Sequence, residues 1–268
     1  FVDILIFLVL VNYSKIIPDV LLKSLLIFSI STFVLSIFYL SGVGIIEELE
    51  GRFSLFGINT NILGLCACIS LLILLSVIFE NKLKFGKNRF LLLLLLPFLT
   101  VLMLSTGSRV SFISLILGIA IFLLNKKNIA SVKKIIFTIF ASTLLLLIWS
   151  LFLKNSLVVE RLSSSINEGD LSYRDVIWLS LFDIISNNFI WGVGKTGYAE
   201  IIGDFSPHNV ILEVLCYTGI IGLTIFLIFF IRILVNAYKS MKNEYDLLPM
   251  VLIVPIIGMI LSGQIFDQ

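Results

Sequence analysis

Apolar runs of near-membrane length alternate with short polar connections along the whole chain, at 20–41, 61–79, 90–106, 109–124, 135–153, 208–231 and 247–265, with a clipped run at 1–11. About twenty apolar residues at roughly 1.5 Å per residue cross the hydrocarbon core of a bilayer, and a helix satisfies its own backbone there. The pattern therefore predicts an all-α fold, a polytopic transmembrane helical bundle with about eight spans.

The polar intervals differ in character. Lys15 and Lys23, the loop with Lys82, Lys84, Lys87 and Arg89, the loop with Lys126, Lys127, Lys133 and Lys134, and the stretch with Arg232, Lys239 and Lys242 together hold most of the 19 basic residues. The positive-inside rule places these regions in the cytoplasm. The other side then receives 42–60, the turn Gly107-Ser108-Arg109 and the long segment 154–207. A polar loop of that length inside a compact membrane protein is usually functional. Within it, Ser172 and Asp175 have capping-box spacing, and Ile177, Leu181, Ile184 and Ile185 form an apolar stripe. That stripe predicts an amphipathic helix lying on the outer membrane surface. Without an internal repeat or linker, residues 1–268 form a single transmembrane domain with 154–207 as its extracytoplasmic loop. A first residue Phe1 and an ending at Gln268 inside an apolar stretch are expected of a fragment of a longer chain, and no signal peptide is assignable.

Composition agrees: 59% hydrophobic and 13% charged, with mean hydropathy +1.13, excludes an ordinary soluble domain. The net charge of +2 gives no sign of nucleic-acid binding. Cys66, Cys68 and Cys216 lie in apolar segments, where small apolar filler is a better reading than a metal site.

The basic residues left on the outer side are Arg52, Arg109, Lys154, Arg161, Arg174 and Lys195. Arginine binds phosphate bidentately and stays charged, so this bias suits a polyanionic substrate. Arg109 stands at a tight turn between two apolar spans, where a charge is costly unless it meets a polar cavity. The alternative is that these arginines snorkel to lipid headgroups or pair with acids such as Glu47, Glu48 and Glu50. His208, the one histidine, can accept a proton near neutral pH. It reads equally as a helix-terminal residue, with Asn209 as the cap. Glu213 shares a helix face with Asn209, and a carboxyl in an apolar span is a functional candidate with an arginine as its partner.

Three apparent motifs are set aside. Gly192-Val193-Gly194-Lys195-Thr196-Gly197 lacks the strand–helix context and the leading glycine of a phosphate loop, and reads as a flexible turn. Ser108 with His208 is a poor protease pair because Arg109 crowds the supposed nucleophile. No Asp-x-Asp occurs, so a metal-bound nucleotide-sugar site has no support.

The ordered runs Gly51-Arg52-Phe53, Asn59-Thr60-Asn61, Ser105-Thr106-Gly107-Ser108-Arg109, Arg161, Arg174-Asp175-Val176-Ile177-Trp178, Gly192-Val193-Gly194, His208-Asn209-Val210-Ile211-Leu212 and Gly219-Ile220-Ile221-Gly222 resemble the bacterial O-antigen ligase and Wzy-type polysaccharide polymerase superfamily. One departure is Tyr217, which stands where many relatives carry a glutamate; Glu213 lies one turn earlier. The resemblance implies an inverting, metal-independent and cofactor-free glycosyltransferase of the bacterial cytoplasmic membrane, active on its extracytoplasmic face. Its implied donor is an undecaprenyl-pyrophosphate-linked oligosaccharide, its surroundings membrane lipid, and its associates a chain-length regulator and a flippase, with no nucleic acid. Polymerase is favoured over ligase. In that chemistry His208 is the catalytic base, Arg109, Arg161 and Arg174 bind pyrophosphate, and Arg52, Asn209, Glu213 and Tyr217 support them. A transporter or flippase for polyanionic lipid-linked saccharide is the alternative, disfavoured because charge is nearly absent from the spans.

Overall fold

The computed structural model describes residues 19–47, 53–80, 86–124, 174–202, 209–244 and 248–262. The expected spans at 1–11 and 135–153, the Ser172 cap, and Arg52, Arg161 and His208 lie outside those residues.

Helix α1 (Val20–Leu40) leads to a two-stranded antiparallel hairpin, β1 (Ile45–Glu47) and β2 (Phe53–Leu55), and then to α2 (Thr60–Glu80). A 3₁₀ segment Gly86–Leu95 runs into α3 (Leu96–Ser105), followed by α4 (Arg109–Leu124). Then come α5 (Arg174–Asn187), α6 (Gly194–Ile202), α7 (Val210–Lys239), a π turn (Ser240–Glu244) and α8 (Leu248–Ser262). The architecture is the expected all-α membrane bundle. Among the described residues, three helices are long and apolar enough to cross a membrane: Val20–Leu40, Thr60–Ile78 and Val210–Lys242. The hairpin was not expected in the interval 42–60.

α2 is the core of the bundle. Its sequence is apolar on every face, as a fully enclosed helix requires, and Leu63, Ala67, Cys68, Leu71, Leu72, Ile73, Leu74 and Val77 are all buried against α1, α3, α4 and α8. α1 turns its small hydroxyls inward instead. Ser29, Thr32 and Ser36 are buried and bond back to the carbonyls of Leu25, Phe28 and Phe33, while Ile27, Ile30 and Phe38 are exposed. Lipid tails are as apolar as leucine, so helices in a bilayer gain by close packing of small residues rather than by hiding the greasiest face. Glycines serve the same end. A Cβ on Gly118 of α4 would stand 2.7 Å from Leu72 Cδ2 of α2, and one on Gly258 of α8 would stand 2.6 Å from Val110 Cγ1 of α4.

Two spans differ in detail from expectation. The run 90–106 is 3₁₀ up to Leu95 and becomes α-helical with Pro97 in its first turn, where the missing N–H is not needed. The run 208–231 is a longer helix, Val210–Lys239, broken at Gly219 (φ 64°, ψ −167°).

Candidate functional site

Two polar assemblies lie at one end of the bundle. The first is the turn between α3 and α4. Gly107, at φ 65°, reverses the chain after α3. Thr106 Oγ1 donates to the Met103 carbonyl at 2.7 Å and accepts from the Ser108 N–H at 3.3 Å. Ser108 Oγ caps α4 by accepting from the Ser111 N–H at 3.4 Å, and it also accepts the Ser111 hydroxyl at 2.8 Å. Thr106, Ser108 and Ser111 are buried, and they press on Gly64 of α2, where a Cβ would stand 2.7 to 2.9 Å from them. Arg109, half-buried, is the first residue of α4. A cation there opposes the helix dipole, so the position does not serve helix stability, and Ser108 already supplies the cap.

The second assembly is formed by α5, α6 and the first turns of α7. Asn209 caps α7, its Oδ1 accepting from the N–H groups of Ile211 at 3.0 Å and Leu212 at 3.3 Å. Glu213 follows one turn on and is only 3% exposed. Tyr217 comes a further turn along and meets the buried Tyr198 of α6 edge-on, with ring centroids 5.1 Å apart. Burial pushes the Tyr198 phenol upward, and the neighbouring Tyr217, Cys216 and Glu213 add to the shift. Tyr198 is therefore held in its protonated form.

Gly219 makes this assembly possible. An unbroken helix would bond the Ile220 N–H to the Cys216 carbonyl. Here the Ile220 N–H donates to the Phe189 carbonyl at 2.8 Å, and the Cys216 carbonyl accepts from the Val193 N–H at 2.9 Å. One helical bond is thus exchanged for two bonds to the α5–α6 connection, and neither backbone group is orphaned. The approach is backbone on backbone: a Cβ on Gly192 (φ 71°) would stand 2.6 Å from the Cys216 carbonyl oxygen, and one on Gly219 would collide with the Ile190 carbonyl. The Gly192–Gly197 run, expected to be a flexible turn, is instead pinned to α7, and α6 begins at Gly194.

α5 is present and amphipathic. Its apolar stripe does not face the membrane surface as expected, however. Leu181, Ile184 and Ile185 are buried in a cluster with Tyr198 and Cys216, against α6 and the start of α7.

α8 links the two assemblies. Gly258 lies against Val110 and Ser114 of α4, while Ile260, half a turn on, packs with Val210 and Val214 of α7. The neighbours of Arg109 and of Glu213 thus share one turn of α8. Among the expected residues, the structure brings Asn209, Glu213 and Tyr217 to the first turns of α7 and Arg109 to the same end of the bundle. Arg174 is the first residue of α5. Tyr198 was missed by sequence reasoning; its signal was a tyrosine in a short helix directly after the two turn glycines.

The fold and the site define an integral-membrane helical protein with two polar assemblies at one end of a glycine-packed bundle. The family model described as O-antigen ligase matches residues 90–227, just over half of the chain, from the 3₁₀ segment through the break in α7. The chain belongs to the O-antigen ligase family and is a membrane enzyme of the ligase and polymerase kind. No curated protein matches it.

Proposed function

We propose that the protein transfers an oligosaccharide from a polyprenyl pyrophosphate donor to a sugar hydroxyl on the extracytoplasmic face of the bacterial cytoplasmic membrane, and that it acts as a polymerase. The observation that carries this reading is the delivery of Arg109 and the buried Glu213 to one end of the bundle through a shared turn of α8. In the reaction the bond from the anomeric carbon to the pyrophosphate breaks as the acceptor oxygen attacks from the opposite face. Pyrophosphate leaves without a general acid, so the step needs cations on the departing oxygens and a base for the hydroxyl proton. Arg109, Arg161 and Arg174 supply the first role, with Arg52 in support, and His208 supplies the second. Glu213 supports the imidazolium that forms. No metal or nucleotide enters this scheme, since the energy lies in the lipid–pyrophosphate linkage. Undecaprenyl is the carrier that the resemblance favours, with a flippase delivering the donor and a chain-length regulator limiting the product.

The flippase alternative draws on broken helices that expose backbone to a transported ion. Both groups freed at Gly219 are taken up by the α5–α6 connection, which favours transfer chemistry instead. Purified protein in vesicles with lipid-linked repeat units tests the reading. A ladder of products is expected; a single transfer to a different acceptor indicates a ligase, and neither product removes the enzymatic reading for this donor.

A further inference from the structure

α7 is 30 residues long, about 45 Å at 1.5 Å per residue, which exceeds a hydrocarbon core of roughly 30 Å. A helix of that length tilts, kinks or leaves the hydrocarbon at one end, and the break at Gly219 with the surroundings of α7 points to the last. Leu212, Leu215, Cys216 and Tyr217 pack with α5 and α6, Val210 and Val214 pack with Ile260 of α8, and this stretch carries the buried Glu213. The continuous apolar exposed surface begins just past the break, at Ile221, and continues through Ile225, Ile228, Phe229 and Ile231. Phe189 is hydrogen-bonded to Ile220, so the turn Phe189-Ile190-Trp191 stands level with the start of that surface. Its side chains are exposed by 50, 55 and 77%. From Ile220 to the exposed Lys239 is about 20 residues, or roughly 30 Å, the thickness of the core.

We propose that Phe189-Ile190-Trp191 is an interfacial anchor seated among the acyl-chain ends and headgroups of the bilayer, and that the hydrocarbon begins at Gly219 rather than at the start of the apolar run. The occupant of this apolar turn is lipid because the turn is continuous with the apolar exposed face of α7. Tryptophan also suits that level, with an apolar ring for the chains and an N–H for the headgroups. At the other end Lys239 and Lys242, both exposed, meet the opposite headgroups. Arg232 lies about 10 Å inside Lys239, within reach of a side chain that snorkels. Asn209 and Glu213 then stand above the hydrocarbon in a cap formed with α5 and α6. This register rests on the packing of α7 and not on the reaction proposed above.

Depth-dependent quenching tests it. The whole chain carrying Trp149→Phe and Trp178→Phe, so that Trp191 is its remaining tryptophan, is placed in phosphatidylcholine vesicles brominated at the 6,7 or the 11,12 acyl positions. Stronger loss of Trp191 fluorescence with the shallow bromines is expected. Stronger loss with the deep bromines means that the hydrocarbon begins near Val210, and overturns the proposal. No loss with either puts the turn in water or under protein and overturns it equally. If the double variant fails to fold, the difference between the native chain and Trp191→Phe gives the same reading.

Discussion

Gly219→Ala isolates the backbone exchange between α7 and the α5–α6 connection. At φ 64° and ψ −167°, alanine sits in a region populated almost only by glycine, at a cost of about 1–3 kcal/mol. The new Cβ also meets the Ile190 carbonyl and stands 2.6 Å from the Trp191 nitrogen, both backbone groups that cannot rotate aside. The cheaper response is for α7 to straighten. It then loses the bonds Ile220 N–H to Phe189 and Val193 N–H to Cys216, and regains Ile220 N–H to Cys216. With each bond worth about 1 kcal/mol and alanine better than glycine in a helix by about 1 kcal/mol, these local terms nearly cancel. The cost falls on docking: Leu181, Ile184, Ile185 and Tyr198 lose their seat against Cys216 and Tyr217.

The expected signature is therefore uneven. In amide hydrogen exchange, Val193 should exchange at least about tenfold faster, equivalent to about 1.4 kcal/mol of lost local stability, while Ile220 stays protected in either arrangement. Gly57→Ala is the control, since Gly57 has φ 75° with open space around its Cβ position; it should carry strain alone and leave Val193 unchanged. Unaltered Val193 protection in Gly219→Ala would refute the exchange, and so would equal loss at Val193 and Ile220.

Arg109→Ala should lower kcat/KM by on the order of 2–5 kcal/mol of transition-state stabilisation, with Arg109→Lys recovering only part; near-normal polymer from Arg109→Ala removes it from the site. Ser108→Ala deletes the acceptor of the Ser111 N–H and hydroxyl and should cost about 1 kcal/mol of thermal stability, measured as a lower melting temperature in detergent. Tyr198 favours its protonated form in the folded state, so stability is intact below the ordinary phenol value near 10 and falls as pH rises from there through the folded value. Tyr198→Phe should flatten that alkaline limb of melting temperature against pH, and an unchanged limb would show that Tyr198 does not contribute to it. His208→Ala should abolish turnover while retaining binding of the lipid-linked donor; loss of binding alone would make His208 a ligand contact.

The fold was legible where sequence and environment speak the same language. Apolar runs gave α1, α2, α4 and α8 nearly to their ends, and glycine with serine at 107–108 marked the turn before Arg109. Asn209 followed the ordinary rule for a cap. Three features stayed hidden for physical reasons. Hydropathy cannot see the break at Gly219, because a glycine lowers helix propensity wherever it stands, and its partner at Gly192 is distant in sequence. The stripe of α5 reads identically whether its cover is lipid or protein, and the cover came from α6 and α7. Tyr198 gave no motif, since its burial depends on where α6 docks.

Those failures share a cause that bears on how such a site is held. Water drives apolar faces together, but lipid offers helices no such gain, so the polar end of this bundle must be positioned by contacts that are short and specific. Four positioning contacts here are of that kind, beside the apolar cluster that seats α5 and α6: a hydroxyl cap at Ser108, hydroxyls against Gly64, a backbone exchange at Gly219, and Gly258 under Val110. A Cβ at Gly64, Gly219 or Gly258 would displace a neighbour. Arg109 and Glu213 belong to helices that meet through α8, by the Gly258 contact with Val110 and Ser114 on the α4 side and by the packing of Ile260 with Val210 and Val214 on the α7 side. A small residue such as Gly258 therefore helps to set where Arg109 stands relative to Glu213.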